Sequence, residues 1–311
     1  MNTSFSRFVK DELARSPLPD GRAEVAAELT AFLYTSGSVH IGGGGRGLHF
    51  VSTHSPTVRR LFSLWQRGYG IRPVVIVCRG AALNGRVSFR AAVSLDGRTE
   101  EALREMDVWH EGRVRLEPGG ARLGSDPQVQ KAYLRGSFLG GGSISDPKSG
   151  YHMEIRCHSR GNARLLCETL ARLGIRAHLT DGGDGPLVYV KDAESTADFL
   201  RAVGAPGALF RLEDVRIVKD LRNRINRLVN SETANMTKSI RASLDQLRDI
   251  ERLDPELRAG LSARTRELVE LRVNHPHASL RELGDMMRPP VSKSTVEYHF
   301  RKIRSLVSAR G

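Results

Sequence analysis

The sequence predicts an α+β protein: a saddle built from two copies of an antiparallel-sheet-and-helix unit about a pseudo-two-fold axis, followed by an all-α helix-turn-helix domain. Three observations predict it. One order of helices and strands is written twice in the first two-thirds of the chain. Two helix-to-glycine segments, "ELTAFLYTSGSV" at 28–39 and "YLRGSFLGGGSIS" at 133–145, align without gaps. The C-terminal segment reads as two capped helices around a turn that prolines keep out of helical conformation.

In the first copy, residues 22–36 form a helix, because Val25, Leu29, Phe32 and Leu33 recur at helical spacing. A strand follows at "GLHFVST", then a helix at "SPTVRRLFSLWQRGYG" with Ser55 as N-cap and Pro56 at its first position. Strands at "IRPVVIVC" and "GRVSFRAAVS" and a helix at "RTEEALREMDV" complete it. The second copy runs from a helix at Pro127 to about Gly140 through a strand "YHMEIRCHS" and a helix "GNARLLCETLARLG". Strands "IRAHLT" and "PLVYVK", joined by "DGGDG", and a helix "AESTADFLRAVG" end it. The turn residues tolerate positive φ, as a hairpin requires. The divisions expected are 1–110 and 127–210 for the two repeats, with 111–126 as linker, 211–235 as a basic linker helix and 236–311 as the helix-turn-helix domain.

Aligned, Leu29 matches Leu134, Ala31 matches Gly136 and Thr35 matches Gly140; Gly37, Ser38 and Val39 match Gly142, Ser143 and Ile144. Ala31/Thr35 and Gly136/Gly140 each make a strip of small residues at i, i+4. The reading is that these two helices pack on each other at close range. The glycines do not make a phosphate cradle. Such loops lead from a strand into a helix N-terminus, whereas these follow a helix C-terminus, where carbonyls point outward. "IGGGGRG" at 41–47 lies between two strands and is read as a flexible hairpin tip.

"YLRGSFLGGGSI", with the doubled element order, resembles the LAGLIDADG homing endonucleases and their single-chain two-repeat fold. The resemblance implies an acidic metal ligand just before the last motif glycine of each repeat. The matching positions are Ser36 and Gly141, and neither can be a carboxylate ligand. Asp146, five residues on, matches Ile41 in the first copy and restores no symmetric pair. No catalytic residue, no metal and no cofactor are expected, and no nuclease activity.

Charge points to a polyanionic partner. The net charge is +13 and the pI about 10.2. The first 210 residues carry +6 and the last 101 carry +7, so the C-terminal third is about twice as basic per residue. Cys78, Cys157 and Cys167 are too few and too scattered for a disulfide framework and are read as reduced core thiols of a cytoplasmic protein. There is no apolar run long enough for a membrane span, and the N-terminus lacks the pattern of a secretory signal. A solvated Arg-rich surface is the plainer reading of the charge.

In the C-terminal third, Arg222, Arg224 and Arg227 sit close together in long helical material running from "LEDVRIVKDL" to "RDIERL". They fit a phosphate-contacting linker, a solvated face or an ion-pair helix between domains. "SARTRELVELRVNHP" offers Leu268, Val269 and Leu271 to a core, and Ser279 with Glu282 forms a capping box. After "RPPVS" a second helix begins at Ser292, or at Ser294 with Glu297 as a second capping box, and buries Val296, Phe300 and Ile303. In a helix-turn-helix the start of that helix reaches base edges. Ser292, Lys293, Ser294, Thr295, Tyr298 and Arg301 are the candidate base contacts, and Lys302 and Arg304 the candidate phosphate contacts. A small bundle used for protein contacts is the alternative.

Nearly the whole chain resembles the WhiA transcriptional regulators, through "YLRGSFLGGGSISDP", "RNRINRLVNSETAN" and "ELGDMMRPPVSKSTV". That resemblance implies a degenerate LAGLIDADG domain joined to a helix-turn-helix, binding double-stranded DNA in the bacterial cytoplasm at the nucleoid. It also implies roles in cell division, chromosome segregation and, in some lineages, sporulation, with a WhiB-like iron-sulphur regulator or RNA polymerase as partner. No membrane and no small-molecule substrate are implied. "GGGG" at 42–45 departs from the family pattern. The other functional classes are a nucleoid-binding or protein-interaction module without sequence preference, and an active endonuclease, which the two missing carboxylates disfavour.

Overall fold

The computed structural model describes residues 4–42, 45–79, 87–118, 123–183 and 185–309. It divides into two compact units, residues 1–218 and 219–311.

The first unit opens with a helix that the sequence pattern left unassigned, α1 (Phe5–Arg15), capped by Ser4 and burying Phe5, Val9 and Leu13. Then come α2 (Arg22–Ser36), β1 (Gly37–Gly42), β2 (Gly45–Ser52), α3 (Ser55–Tyr69), β3 (Val74–Arg79), β4 (Val87–Ser94) and α4 (Gly97–Glu105). A short hairpin, β5 (Trp109–His110) and β6 (Arg113–Val114), precedes α5 (Pro127–Gly141). The second copy continues with β7 (Gly142–Ile144), β8 (Met153–Arg156), α6 (Arg160–Arg172), β9 (His178–Gly182), β10 (Gly185–Val190) and α7 (Ala193–Val203).

The two antiparallel sheets have equivalent strand orders, β1-β2-β4-β3 and β7-β8-β10-β9. Gly37 pairs with Phe50 and Gly142 with Ile155, so each motif glycine starts the first strand of its own sheet. The tip of the "GGGG" hairpin at 43–44 and the Asp184 position of "DGGDG" lie outside the described residues.

At the centre, α2 packs on α5. Neither helix has a polar face: α2 buries Val25, Ala27, Leu29, Ala31, Phe32, Leu33 and Tyr34, and α5 buries Ala132, Tyr133, Leu134, Phe138 and Leu139. A helix apolar on all sides belongs inside a core. The close approach depends on small residues. A Cβ on Gly136 would overlap the Glu28 carbonyl oxygen and lie 2.9 Å from Ala31 Cβ, and one on Gly140 would overlap Thr35 Oγ1. Thr35 Oγ1 donates back to the Ala31 carbonyl at 2.8 Å, which keeps its hydroxyl satisfied inside this contact.

The buried charges at this helix contact are paired. Glu28, fully buried, accepts from Arg60 Nε at 2.5 Å and Nη2 at 3.1 Å, and from Arg135 Nη1 at 3.2 Å. Arg60 Nη1 also donates to the Ser16 carbonyl at 2.7 Å and Arg135 Nε to the Val203 carbonyl at 3.0 Å. One carboxylate on α2 thus ties α3 and α5 together.

Several local readings need correction. His54, not Ser55, caps α3, so Pro56 is the second helical residue; the Thr57 amide donates to the His54 carbonyl at 3.1 Å. The expected repeat boundary at 110/111 falls inside the β5–β6 hairpin, because Glu111 and Gly112 adopt φ of 48° and 73° and turn the chain back. Only Cys157 of the three thiols is fully buried; Cys78 and Cys167 are half-buried. Burial pushes the Cys157 thiol up to about 12, which leaves it unreactive.

The expected divisions at 210/211 and 235/236 both lie within one helix, α8 (Pro206–Glu251), of 46 residues. Its start belongs to the first unit, where Ala208 and Leu212 are buried and Glu12 accepts from the Gly207 and Ala208 amides at 2.6 and 2.9 Å. This carboxylate serves the free amides of a helix N-terminus. The second unit continues with α9 (Pro255–Ala259), α10 (Ala263–Asn274), α11 (Leu280–Met286) and α12 (Lys293–Ser308) around Leu268, Leu283, Met287, Val296, Phe300 and Ile303.

Candidate nucleic-acid interface

The second unit is built to hold α12 at a fixed angle to α11. The capping box forms: the Glu282 amide donates to Ser279 Oγ at 3.2 Å, and the Ser279 amide to Glu282 Oε2 at 2.7 Å. After α11 the turn closes on Gly284, whose carbonyl accepts from the Val291 amide at 3.0 Å. A Cβ on Gly284 would overlap the Val291 carbonyl oxygen, so the turn lies directly against α11. The loop between α10 and α11 is clamped by buried Arg272, which donates to the carbonyls of Ala278 (2.6 Å), Pro276 (3.3 Å) and His275 (3.4 Å). Its guanidinium also lies 5.6 Å from the Phe300 ring centre. Burial lowers the Arg272 pKa, but carbonyl dipoles take the place of a carboxylate.

Ser292 is the N-cap of α12. Its Oγ accepts from the Thr295 amide at 3.3 Å and lies 2.9 Å from both Ser294 Oγ and Thr295 Oγ1. The alternative start at Ser294, with a capping box to Glu297, is not formed, because the helix has already begun at Lys293. Glu297 instead lies 3.4 Å from Arg301.

Val296, Phe300 and Ile303 are buried, so Ser294, Tyr298 and Arg301, at i, i+4 and i+7, share the opposite, exposed face. Tyr298 is 60% exposed. Ser305 extends this stripe, its Oγ donating to the Lys302 carbonyl at 2.8 Å, and a lone serine late in a helix carries no local signal that marks it. Lys293 and Lys302 are exposed beside it, Ser292 is exposed, and Thr295 is half-buried. Arg304 is partly spent inside the unit: its Nε lies 3.0 Å from Asp249 on α8, whose side chain is 17% exposed. Arg222, Arg224 and Arg227 on α8 are exposed and have no carboxylate partner among the described residues.

His299 lies behind this face, its Nδ1 3.0 Å from Thr265 Oγ1. Burial first, then nearby Lys302 and Arg264, lower its pKa below the ordinary 6.5. Below that value the unfolded chain takes up a proton that the folded ring resists, so this contribution is fully present above pH 6.5 and is lost progressively as pH falls from there through the lower folded value. Urea melts at about pH 7.5 and about pH 5 are expected to show His299→Gln losing less stability on acidification than the wild type.

At the motif ends, Ser36 Oγ donates to the Phe32 carbonyl at 3.1 Å. A Cβ on Gly141 would overlap the Arg156 carbonyl oxygen and lie 3.3 Å from Thr35 Cβ, so the backbone there leaves no room for an acidic side chain. Asp146 sits in an exposed turn, accepting from the Lys148 amide at 2.8 Å. Among the described residues no group of three or more His, Cys, Asp or Glu side chains is placed to hold a metal. No helix of the described residues is long and apolar enough to cross a membrane.

Comparison with known proteins matches three family models along the chain. The WhiA N-terminal LAGLIDADG-like domain covers residues 22–109, the WhiA LAGLIDADG-like domain 130–222 and the WhiA C-terminal HTH domain 225–307. A probable cell division protein WhiA from Heliobacterium modesticaldum is 39% identical over 312 residues, covering 98% of this chain and 96% of that one. One from Thermoanaerobacter sp. (strain X514) is 37% identical over 308 residues, covering 97% and 96%. Among solved structures, full-length DUF199/WhiA from Thermatoga maritima aligns over 99% of both chains with a TM-score of 0.59 at 23% identity. The N-terminal LAGLIDADG domain of DUF199/WhiA aligns over 66% of this chain and 92% of that one, with a TM-score of 0.52 at 24% identity.

Proposed function

The chain belongs to the WhiA family, and from that premise we propose that it is a bacterial DNA-binding transcriptional regulator that reads sequence through α12. One observation carries this reading: α12 is capped, braced by α11 and Arg272, and turns Ser294, Tyr298 and Arg301 outward between Lys293 and Lys302. Hydroxyls, a tyrosine and an arginine are side chains that hydrogen-bond base edges, and flanking lysines suit phosphates. Ser292 and Thr295 belong to this surface chiefly as the cap that aims it. Arg222, Arg224 and Arg227 extend the basic surface along α8, while Arg304 contributes through its link to Asp249 as much as through any phosphate.

Competition binding at fixed salt tests the proposal. A regulator's own sites are expected to outcompete random duplex by about 10³-fold or more. Equal competition would instead make the unit a non-specific nucleoid or interaction module. The Lys293→Ala, Arg301→Ala double variant is expected to lose about 10- to 100-fold in site affinity and to show a shallower salt dependence. Unchanged affinity and salt slope would remove α12 as the reader.

The two-repeat unit is proposed to be a catalytically inactive scaffold, supported by Ser36 at one motif end and by the absence of space at Gly141 on the other. Metal-dependent cleavage of duplex DNA by the purified chain would overturn that. The curated relatives are named probable cell division proteins, and a role in cell division is proposed for this chain on that ground. Chromosome segregation, sporulation, nucleoid localisation in the cytoplasm, and a WhiB-like or RNA polymerase partner are proposed on the family resemblance alone. Genome-wide mapping of the bound sites tests the regulatory role.

A further inference from the structure

The strand β3 forms one edge of the first sheet, with β4 as its strand partner. Its residues are apolar and open to solvent: Val74 is 62% exposed, Val75 44%, Ile76 43% and Val77 56%. They alternate across the sheet, Val74 and Ile76 beside Ala92 and Arg90, Val75 and Val77 beside Ala91 and Phe89. Among the described residues α3 lies against β2 and β4, and Val74–Val77 of the edge strand stay exposed whichever face they are on.

Edge strands are usually guarded by a charge, a proline or a bulge, since their free backbone groups invite pairing. From Val74 to Cys78 there is no such guard. The duplication supplies an internal comparison. The equivalent edge of the second sheet, β9, is "HLTDG", polar, with Asp181 paired to Arg160 at 3.0 Å. The apolar edge therefore belongs to the first repeat and not to the scaffold.

Charge narrows the occupant. The strands β1 to β4 contain no Asp or Glu, while the second sheet carries Glu154 and Asp181. Arg72 and Arg79 bracket the apolar stretch and Arg90 lies beside it; none has a carboxylate partner among the described residues. A second copy pairing antiparallel on this edge would set Arg72 of each chain near Arg79 of the other, which repels. Duplex DNA would satisfy the arginines but offers neither strand backbone nor apolar surface to the valines. An extended apolar segment with acidic ends meets all three demands. We propose that β3 is a docking edge for such a segment of a partner protein, which adds as a further strand beside Val74–Arg79 while its acidic ends engage Arg72 and Arg79.

The full-length chain is titrated with a fluorescein-labelled peptide, Glu-Glu-Thr-Val-Thr-Val-Thr-Glu-Glu, and with its Lys-flanked counterpart, and backbone exchange is followed by mass spectrometry. The acid-flanked peptide is expected to bind about tenfold or more tightly than the Lys-flanked one, with the difference shrinking in high salt. It is also expected to slow exchange over residues 74–79. Ile76→Glu is expected to weaken this peptide by about tenfold. Its melting temperature should hold, because the new carboxylate faces Arg90 across the ladder. Arg79→Glu, on the exposed strand end, is expected to erase the preference between the two flanks while the fold is kept. Absence of exchange protection at 74–79 with the acid-flanked peptide overturns the proposal. So does protection there by duplex DNA alone, or a concentration-dependent dimer that Ile76→Glu disperses.

Discussion

Gly136→Leu is expected to unfold the two-repeat unit at temperatures where the wild type is intact. The new side chain has nowhere to go: its first carbon would overlap the Glu28 carbonyl oxygen and press on Ala31 Cβ, and backbone and alanine cannot swing aside. Overpacking usually costs about 1–3 kcal/mol, and the rigid obstacles here place the cost at or above the top of that range. Trp65 and Trp109 both lie in this unit, so tryptophan fluorescence reports its melting without contribution from the other. Gly150→Ala is the control, since a Cβ there meets nothing within 4 Å, and its curve should overlay the wild type. A wild-type curve for Gly136→Leu would mean that α2 and α5 do not approach closely.

Glu28→Ala is expected to be nearly as damaging for an electrostatic reason. Arg60 has a side chain with no exposed surface, and its carboxylate partner is Glu28, while Arg135 shares the same carboxylate. Removing the one carboxylate strands a buried cation, a loss of about 3–5 kcal/mol. Replacing the pair together, Glu28→Leu with Arg60→Met, is expected to restore much of that loss, because the cation with no exposed surface is gone, while Arg135 keeps a side chain 17% exposed and its bond to the Val203 carbonyl. Denaturant melts of Glu28→Leu, Arg60→Met and the double give the coupling directly. A loss under about 1 kcal/mol for Glu28→Ala would show that water reaches Arg60, the behaviour of an exposed pair.

The two predictions concern the same helix contact, but only one was legible in the chain. Gly136 and Gly140 announced themselves because small residues at i, i+4 in an otherwise apolar helix have few other uses. Glu28 did not, since a single acid in "VAAELTAF" looks like the polar face of an amphipathic helix. Its burial follows from Arg60 and Arg135, which lie 32 and 107 residues away. The same limit applies to Arg272. It reads as one more basic residue, yet it holds the α10–α11 loop through three carbonyls.

In the candidate interface the capping residues and the buried stripe of α12 were readable, because caps and helical periodicity are local. Which hydroxyl serves the cap was not. Ser292 and Ser294 have equivalent claims until the turn from Arg288 to Val291 fixes where the chain leaves α11, and Gly284 sets that turn. Charge alone points Arg304 at a phosphate; its proximity to Asp249 depends on how α12 meets α8.

By itself the sequence determined the duplicated order of elements, the close helix pair, the capped C-terminal helices and the absence of a carboxylate at Ser36 and Gly141. Each rests on residues near one another in the chain or on a repeat that can be laid against itself. The tertiary structure alone decided that Glu28 is a buried hub, that Gly141 leaves no room for a carboxylate, that α8 runs unbroken through two expected boundaries, and that β3 stands bare at a sheet edge. Those depend on which distant backbone comes within a few ångströms of a given atom, and short-range pattern carries no record of that distance.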